Sequence, residues 1–104
     1  MSLDKAIAMA VKTGKVLFGA KSAIRSAKLR KAKLIVLAEN CPEDIRRDIE
    51  YYCKLSRIPT VTYGGSSKDL GVICGKPFMI SALTIRDPGK STILKLVKGD
   101  GKRD

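Results

Sequence analysis

The sequence predicts an α/β protein: a sheet sandwiched between helices, α/β/α, in one domain spanning residues 1–104. Three observations predict it. Segments with helical spacing alternate with short apolar runs along the chain. The run LIVLA at 34–38 is apolar at every position, as in a strand covered on both faces. The 104 residues, with a hydrophobic fraction of 44%, suit one modest core, and no repeat or linker divides them.

Leu3, Ala6, Ile7, Ala10 and Val11 recur at i, i+3, i+4, i+7 and i+8. That is one face of a helix, which Ser2 can cap and Gly14 can end. Val16, Leu17 and Phe18 read as a short buried strand, broken by Gly19. Ala20, Ala23, Ile24 and Ala27 give a second helical stripe, with Lys21, Ser22, Arg25, Ser26 and Lys28 on the outer side. A basic tract at 28–33 closes this element, and the strand at 34–38 follows. Pro42 suits the first position of a third helix, which makes Cys41 its cap. Glu43 and Asp44 suit the positive end of that helix dipole. Ile45, Ile49, Tyr52 and Cys53 form its apolar face; Arg46, Arg47, Asp48, Glu50 and Lys54 form a charged side. Ile58 and Pro59 end the helix and open a strand at 60–63. Gly64 and Gly65 turn the chain, and Ser66 or Ser67 caps a short helix through Leu70, Val72 and Ile73. A loop at 75–78 leads into a last strand over 79–85, followed by a DPG turn at 87–89. Residues 91–97 fit a short helix or a strand equally, and 99–104 read as a solvated tail.

Charge narrows the function. Lys plus Arg total 21 against 10 Asp plus Glu, a net charge of +11. The excess is uneven: +8 over residues 1–33, −1 over 34–58 and +4 over 59–104. Such concentration is the footprint of a protein that meets a polyanion. An anionic membrane surface calls for a basic helix with a strongly apolar, aromatic opposite face, and the helices here offer mainly alanine. Nucleic acid therefore leads an acidic protein as the expected partner, and no membrane is expected. The amphipathic start, with Asp4, does not read as a signal peptide, so the expected location is the cytosol.

Enzyme chemistry has little to stand on. There is no histidine, so no imidazole base and no Ser-His or Cys-His pair. Cys41, Cys53 and Cys74 are widely spaced and read as reduced, mostly buried thiols rather than metal ligands. No cofactor is expected. The segment GVICGK at 71–76 resembles a phosphate-binding loop only loosely: it has three intervening residues, not four, and Pro77 stands in place of the required hydroxyl. The KTG at 12–14 is a chance match to a β-lactamase motif in a far smaller chain.

The junction of Phe18, Gly19, Ala20 and Lys21 is more informative. A helix start offers unpaired N–H groups and a positive dipole end, and Gly19 lets another backbone come close. Lys21, Ser22 and Arg25 line the first turn and a half, where cations oppose the dipole by about 0.3–1 kcal/mol each. An anion seated there would explain them; so would an ordinary basic face with a turn glycine. Asn40, just past the 34–38 strand, offers an amide free to donate and accept at a base edge, or it serves the following helix start. Phe78 and Met79 are either core residues of the last strand or an exposed apolar pair for stacking on a base. All three loops meet at one end if the last strand runs antiparallel to the others.

The segments FGAKSAIR at 18–25, LIVLAENCP at 34–42, DIEYY at 48–52, IP at 58–59, DLG at 69–71 and GKPF at 75–78 stand in a telling order and spacing. They resemble the archaeal and eukaryotic large-subunit ribosomal protein family L thirty-e, within the wider group of kink-turn RNA-binding proteins. The resemblance runs from about Lys5 to Leu96. It implies a three-layer sandwich with a four-stranded mixed sheet, and a structural role in the cytoplasmic ribosome. It implies binding to an asymmetric internal loop where the backbone of ribosomal RNA bends sharply, with other ribosomal proteins nearby and a monomer when free. By position, it implies contacts from Gly19, Ala20, Lys21, Ser22, Arg25 and Lys28, from Asn40 and Cys41, and from Gly75, Lys76, Pro77, Phe78 and Met79. Where related kink-turn binders carry Asn-Glu, this chain has Lys21-Ser22, which shifts the expected contacts there from bases toward phosphate. The shortness of the chain and its DPG turn point to an archaeal-type member.

Overall fold

The computed structural model describes residues 3–96; Ser2, Val97 and the 99–104 tail lie outside the described residues. Helix α1 (Leu3–Thr13) buries Ala6, Ile7 and Ala10, the face that the spacing predicts. Strand β1 (Lys15–Phe18) follows, then α2 (Ala20–Lys28), β2 (Leu34–Ala38), α3 (Glu43–Ser56), β3 (Thr60–Tyr63), α4 (Ser67–Ile73) and β4 (Ala82–Asp87). Residues 93–96 are helical, which resolves the ambiguity there. No helix among the described residues is long and apolar enough to cross a membrane.

The sheet order is β1-β4-β2-β3. β4 runs antiparallel to both β1 and β2, and β2 pairs parallel with β3. The sheet is therefore mixed and four-stranded. β2 is central and buried at every position. Its side chains alternate between two cores. Leu34, Val36 and Ala38 join Ala6, Ile7, Ala10, Leu70, Leu83 and Ile85, beneath α1 and α4. Ile35 and Leu37 join Ala23, Ala27, Ile49, Cys53 and Ala82, beneath α2 and α3. Each fully buried Leu or Ile contributes about 1.5–3 kcal/mol by leaving water. The three thiols Cys41, Cys53 and Cys74 are free and buried. Burial pushes the thiols of Cys53 and Cys74 up to about 11, so both stay protonated at neutral pH.

Several local expectations need correction. The run at 16–18 is only half-buried, because β1 lies at the sheet edge with one strand neighbour. Ser26 is buried, not outward: α2 approaches closely through alanines, and a small serine beside them is covered too. Pro42 is the cap of α3 rather than its first helical residue, so Cys41 is not the cap. Arg46 is not on the solvated side of α3. Its guanidinium donates from one nitrogen to the Ala38 carbonyl (2.9 Å) and from the other to Thr62 Oγ1 (3.1 Å), tying the ends of β2 and β3 to the helix. Val72, read as part of an apolar helix face, is exposed. The last strand starts at Ala82 rather than 79, because the Ile80 N–H donates to the Ser67 carbonyl (2.9 Å) instead of entering the ladder.

Candidate RNA interface

The antiparallel direction of β4 puts its start beside the ends of β1 and β2. The Gly19 N–H donates to the Ala82 carbonyl (2.9 Å), and the Ala38 N–H to the Ser81 carbonyl (2.9 Å). Loops β1–α2, β2–α3, β3–α4 and α4–β4 thus gather at one end of the sheet. The expected convergence of the Gly19, Asn40 and Gly75 loops is present.

Gly19 caps α2 at φ 104°, ψ 160°, a backbone conformation that favours glycine, and makes no side-chain cap hydrogen bond. A Cβ there would meet nothing within 4 Å, so the backbone over this helix start faces open space. No acidic residue lies in the first turn of α2, whereas α3 carries Glu43 and Asp44, and α4 carries Asp69 in a capping box with Ser66. Lys21 and Arg25 are exposed and Ser22 half-buried.

Asn40 does more than the sequence reading allowed. Its Oδ1 accepts the Ser67 N–H at 2.7 Å, serving the start of α4 rather than that of α3. That bond fixes which way the amide faces. The carbonyl is used internally, and the NH2 group is what remains to donate. Alongside it, the Glu39 N–H donates to the Gly65 carbonyl (2.9 Å).

The α4–β4 loop is held from both sides. The Lys76 N–H donates to the Gly71 carbonyl and the Gly75 N–H to the Val72 carbonyl, each at 2.9 Å. Gly71 lets the loop lie against α4: a Cβ there would collide with the Phe78 carbonyl oxygen. So held, Phe78 and Met79 stay 51% and 70% exposed, which rules out the core reading of this pair. The Phe18 ring lies edge-on to Phe78 at 6.1 Å, and Lys76 Nζ sits 5.2 Å from the centre of the Phe18 ring. This links the loop physically to the Gly19 junction. Val72, Lys76, Pro77, Phe78 and Met79 line an open, largely apolar pocket of about 370 Å³, with Lys68 also on its wall.

Two expected residues stand apart. Cys41 is buried beneath α2 and α3, and burial raises its thiol pKa against the opposing pull of Arg46. Lys28 lies at the far end of α2, with Nζ 4.8 Å from the Tyr52 ring centre. Two residues that position the site were not singled out from sequence, Arg46 as tie and Gly71 as close-approach point; Phe18 was named at the junction but not as the ring partner of Phe78. Of these only Gly71 carried a signal, a glycine inside a helical pattern, where it costs about 1 kcal/mol relative to alanine.

The surface offers a bare helix start with cations, an amide donor and an apolar pocket within one loop cluster, which is chemistry for phosphate and for an unstacked base. Among solved structures, a protein of unknown function from Bacillus halodurans shares the fold, with a TM-score of 0.78 at 18% identity, covering 90% of this chain and 93% of that one. Among curated proteins, large ribosomal subunit protein eL30 of Methanothermobacter thermautotrophicus is 56% identical, covering 93% of this chain and 99% of the relative. The eL30 of Saccharolobus solfataricus is 48% identical, covering 94% and 91%. The family description Ribosomal protein L7Ae/L30e/S12e/Gadd45 matches residues 1–95, and with such relatives over nearly the whole length the chain belongs to that family.

Proposed function

We propose that this protein is a structural component of the large ribosomal subunit that binds a kink-turn-type internal loop of ribosomal RNA. The observation that carries the reading is the convergence of the Gly19, Asn40 and 75–79 loops at one sheet end, joined through the Phe18–Phe78 contact. The names of the relatives support the ribosomal setting, and with it a cytoplasmic location and an architectural rather than catalytic role. The partners are ribosomal RNA and neighbouring ribosomal proteins, and the free protein is a monomer.

In this reading Gly19 and Ala20 bring backbone N–H groups to phosphate at the bend, and Lys21, Ser22 and Arg25 extend that contact. The Asn40 NH2 donates to an acceptor on a base edge. An extruded base lies against Phe78 and Met79, above Pro77, with Gly75 and Lys76 setting the loop. Base stacking on an aromatic side chain contributes about 1–3 kcal/mol, and phosphate contacts carry the salt dependence. Phe78→Ala and Lys21→Ala each remove an exposed group and leave the core intact. Each variant is expected to melt like the wild type and to bind kink-turn RNA roughly tenfold or more weakly. Wild-type affinity in both would refute the placement of the site.

A further inference from the structure

A second basic surface lies outside the loop cluster. Between α2 and the sheet edge runs a groove of about 320 Å³, walled by Leu17 of β1, by Ser22 of α2 and by Leu29, which caps the C-terminal end of that helix. Arg25, Lys31 and Arg86 line it, and no acidic residue does. From Ser22 to Leu29 it follows α2 for about 10 Å, at 1.5 Å per residue. None of the three cationic side chains has an ion-pair or hydrogen-bond partner among the described residues.

The three cations stand on fixed backbone. Arg25 lies in α2. Lys31 follows a helix end in which its own N–H donates to the Ser26 carbonyl (2.9 Å) and the Arg30 N–H to the Ala27 carbonyl (3.2 Å). That pairing is a Schellman turn, which folds the chain back along the helix. Arg86 sits where the β1–β4 register slips: Val16 pairs with Ile85 but Lys15 with Asp87, leaving Arg86 as the extra residue. A bulge of this kind re-aims the side chain it carries. The nearest acid in sequence, Asp87, is turned to other use, its Oδ1 accepting the Gly89 N–H (2.9 Å).

We propose that this groove holds the phosphodiester backbone of an RNA stem leaving the bend, so that the interface continues from the loop cluster along α2 to Arg86. The inference rests on the RNA reading above. Continuity favours RNA over an acidic peptide, because Ser22 and Arg25 belong to both the groove and the proposed bend site. About 10 Å of groove, at 1.5 Å per helical residue, is long enough to follow a few successive phosphates of one RNA strand. The contact is independent of sequence, since cations that meet phosphate do not read bases.

The test compares the wild type with a Lys31→Gln/Arg86→Gln double variant on two RNAs. One is a kink-turn trimmed close to the bend; the other has a stem extended by about one helical turn. The expected result is a roughly tenfold loss for the double variant on the extended RNA only. Its slope of log affinity against log salt should also be shallower by about 1.4–1.8, two phosphate contacts' worth. Unchanged affinity on the extended RNA would overturn the proposal. So would equal losses on both RNAs, the mark of a general loss of positive charge. Binding of an acidic peptide that the double variant abolishes while RNA affinity is unchanged would assign the groove to protein instead. If the wild type binds neither kink-turn, the underlying reading fails and this inference with it.

Discussion

In the proposed interface, Asn40 divides its two side-chain ends between folding and binding. The Oδ1 holds the Ser67 N–H at 2.7 Å, and the NH2 group is left to face a partner. Two substitutions separate these roles. Asn40→Ala removes both, and is expected to lower stability by about 1 kcal/mol, the net worth of one hydrogen bond, as well as RNA affinity. Asn40→Asp keeps an acceptor for Ser67 but loses the donor and adds a negative charge. It is expected to keep most of the melting temperature and to lose RNA affinity. Thermal melts beside RNA titrations check the pair; an Asn40→Asp protein that binds like the wild type would remove Asn40 from the interface. Sequence reading found this residue but not its partner, because the bond joins positions 27 apart in the chain. It missed Arg46 for a related reason. An arginine inside an otherwise charged helix side looks solvated until β2 and β3 supply the Ala38 carbonyl and Thr62 hydroxyl.

At the scale of elements, the α4–β4 unit shows how a helix can shape a binding loop. Ser66 and Asp69 fix the start of α4 by a reciprocal cap. Gly71 then lets the loop close over the helix, against the Phe78 carbonyl. Alanine at 71 would favour the isolated helix by about 1 kcal/mol, yet its Cβ has no room in the folded protein. Gly71→Ala is therefore expected to destabilise the fold by about 1–3 kcal/mol through overpacking, and to weaken RNA binding by displacing Phe78 and Met79. Chemical denaturation and an RNA titration check this; a more stable variant with unchanged affinity would contradict the account. Helix periodicity made α1 and α3 legible, the serine cap made α4 legible, and the continuous apolar run made β2 legible. The start of β4 was not, since the apolar Met79 and Ile80 read as strand, yet the Ile80 N–H goes to Ser67 of α4.

At the scale of the whole molecule, topology decides what the site contains. Three loops far apart in sequence meet because β4 is antiparallel to its neighbours, and no local pattern encodes that direction. The sequence made convergence conditional on it, and the resemblance to a mixed-sheet family supplied the condition. Charge completes the picture. Five of the ten acidic residues lie within 39–50, on α3 and the loop before it, while the +8 of the first third surrounds α1 and α2. In the proposed interface the field draws in any polyanion, and selection rests on the amide of Asn40 and the pocket at Phe78 and Met79. These two contributions respond differently to salt, because phosphate contacts weaken as salt rises while stacking and base-edge bonds depend on it far less. The most direct measurement titrates the protein against a kink-turn RNA and against the same RNA with its internal loop fully paired, across a range of salt concentrations. The account predicts that both affinities fall with salt while the kink-turn keeps an advantage of at least tenfold at physiological ionic strength. Equal affinity for the two RNAs there would contradict it.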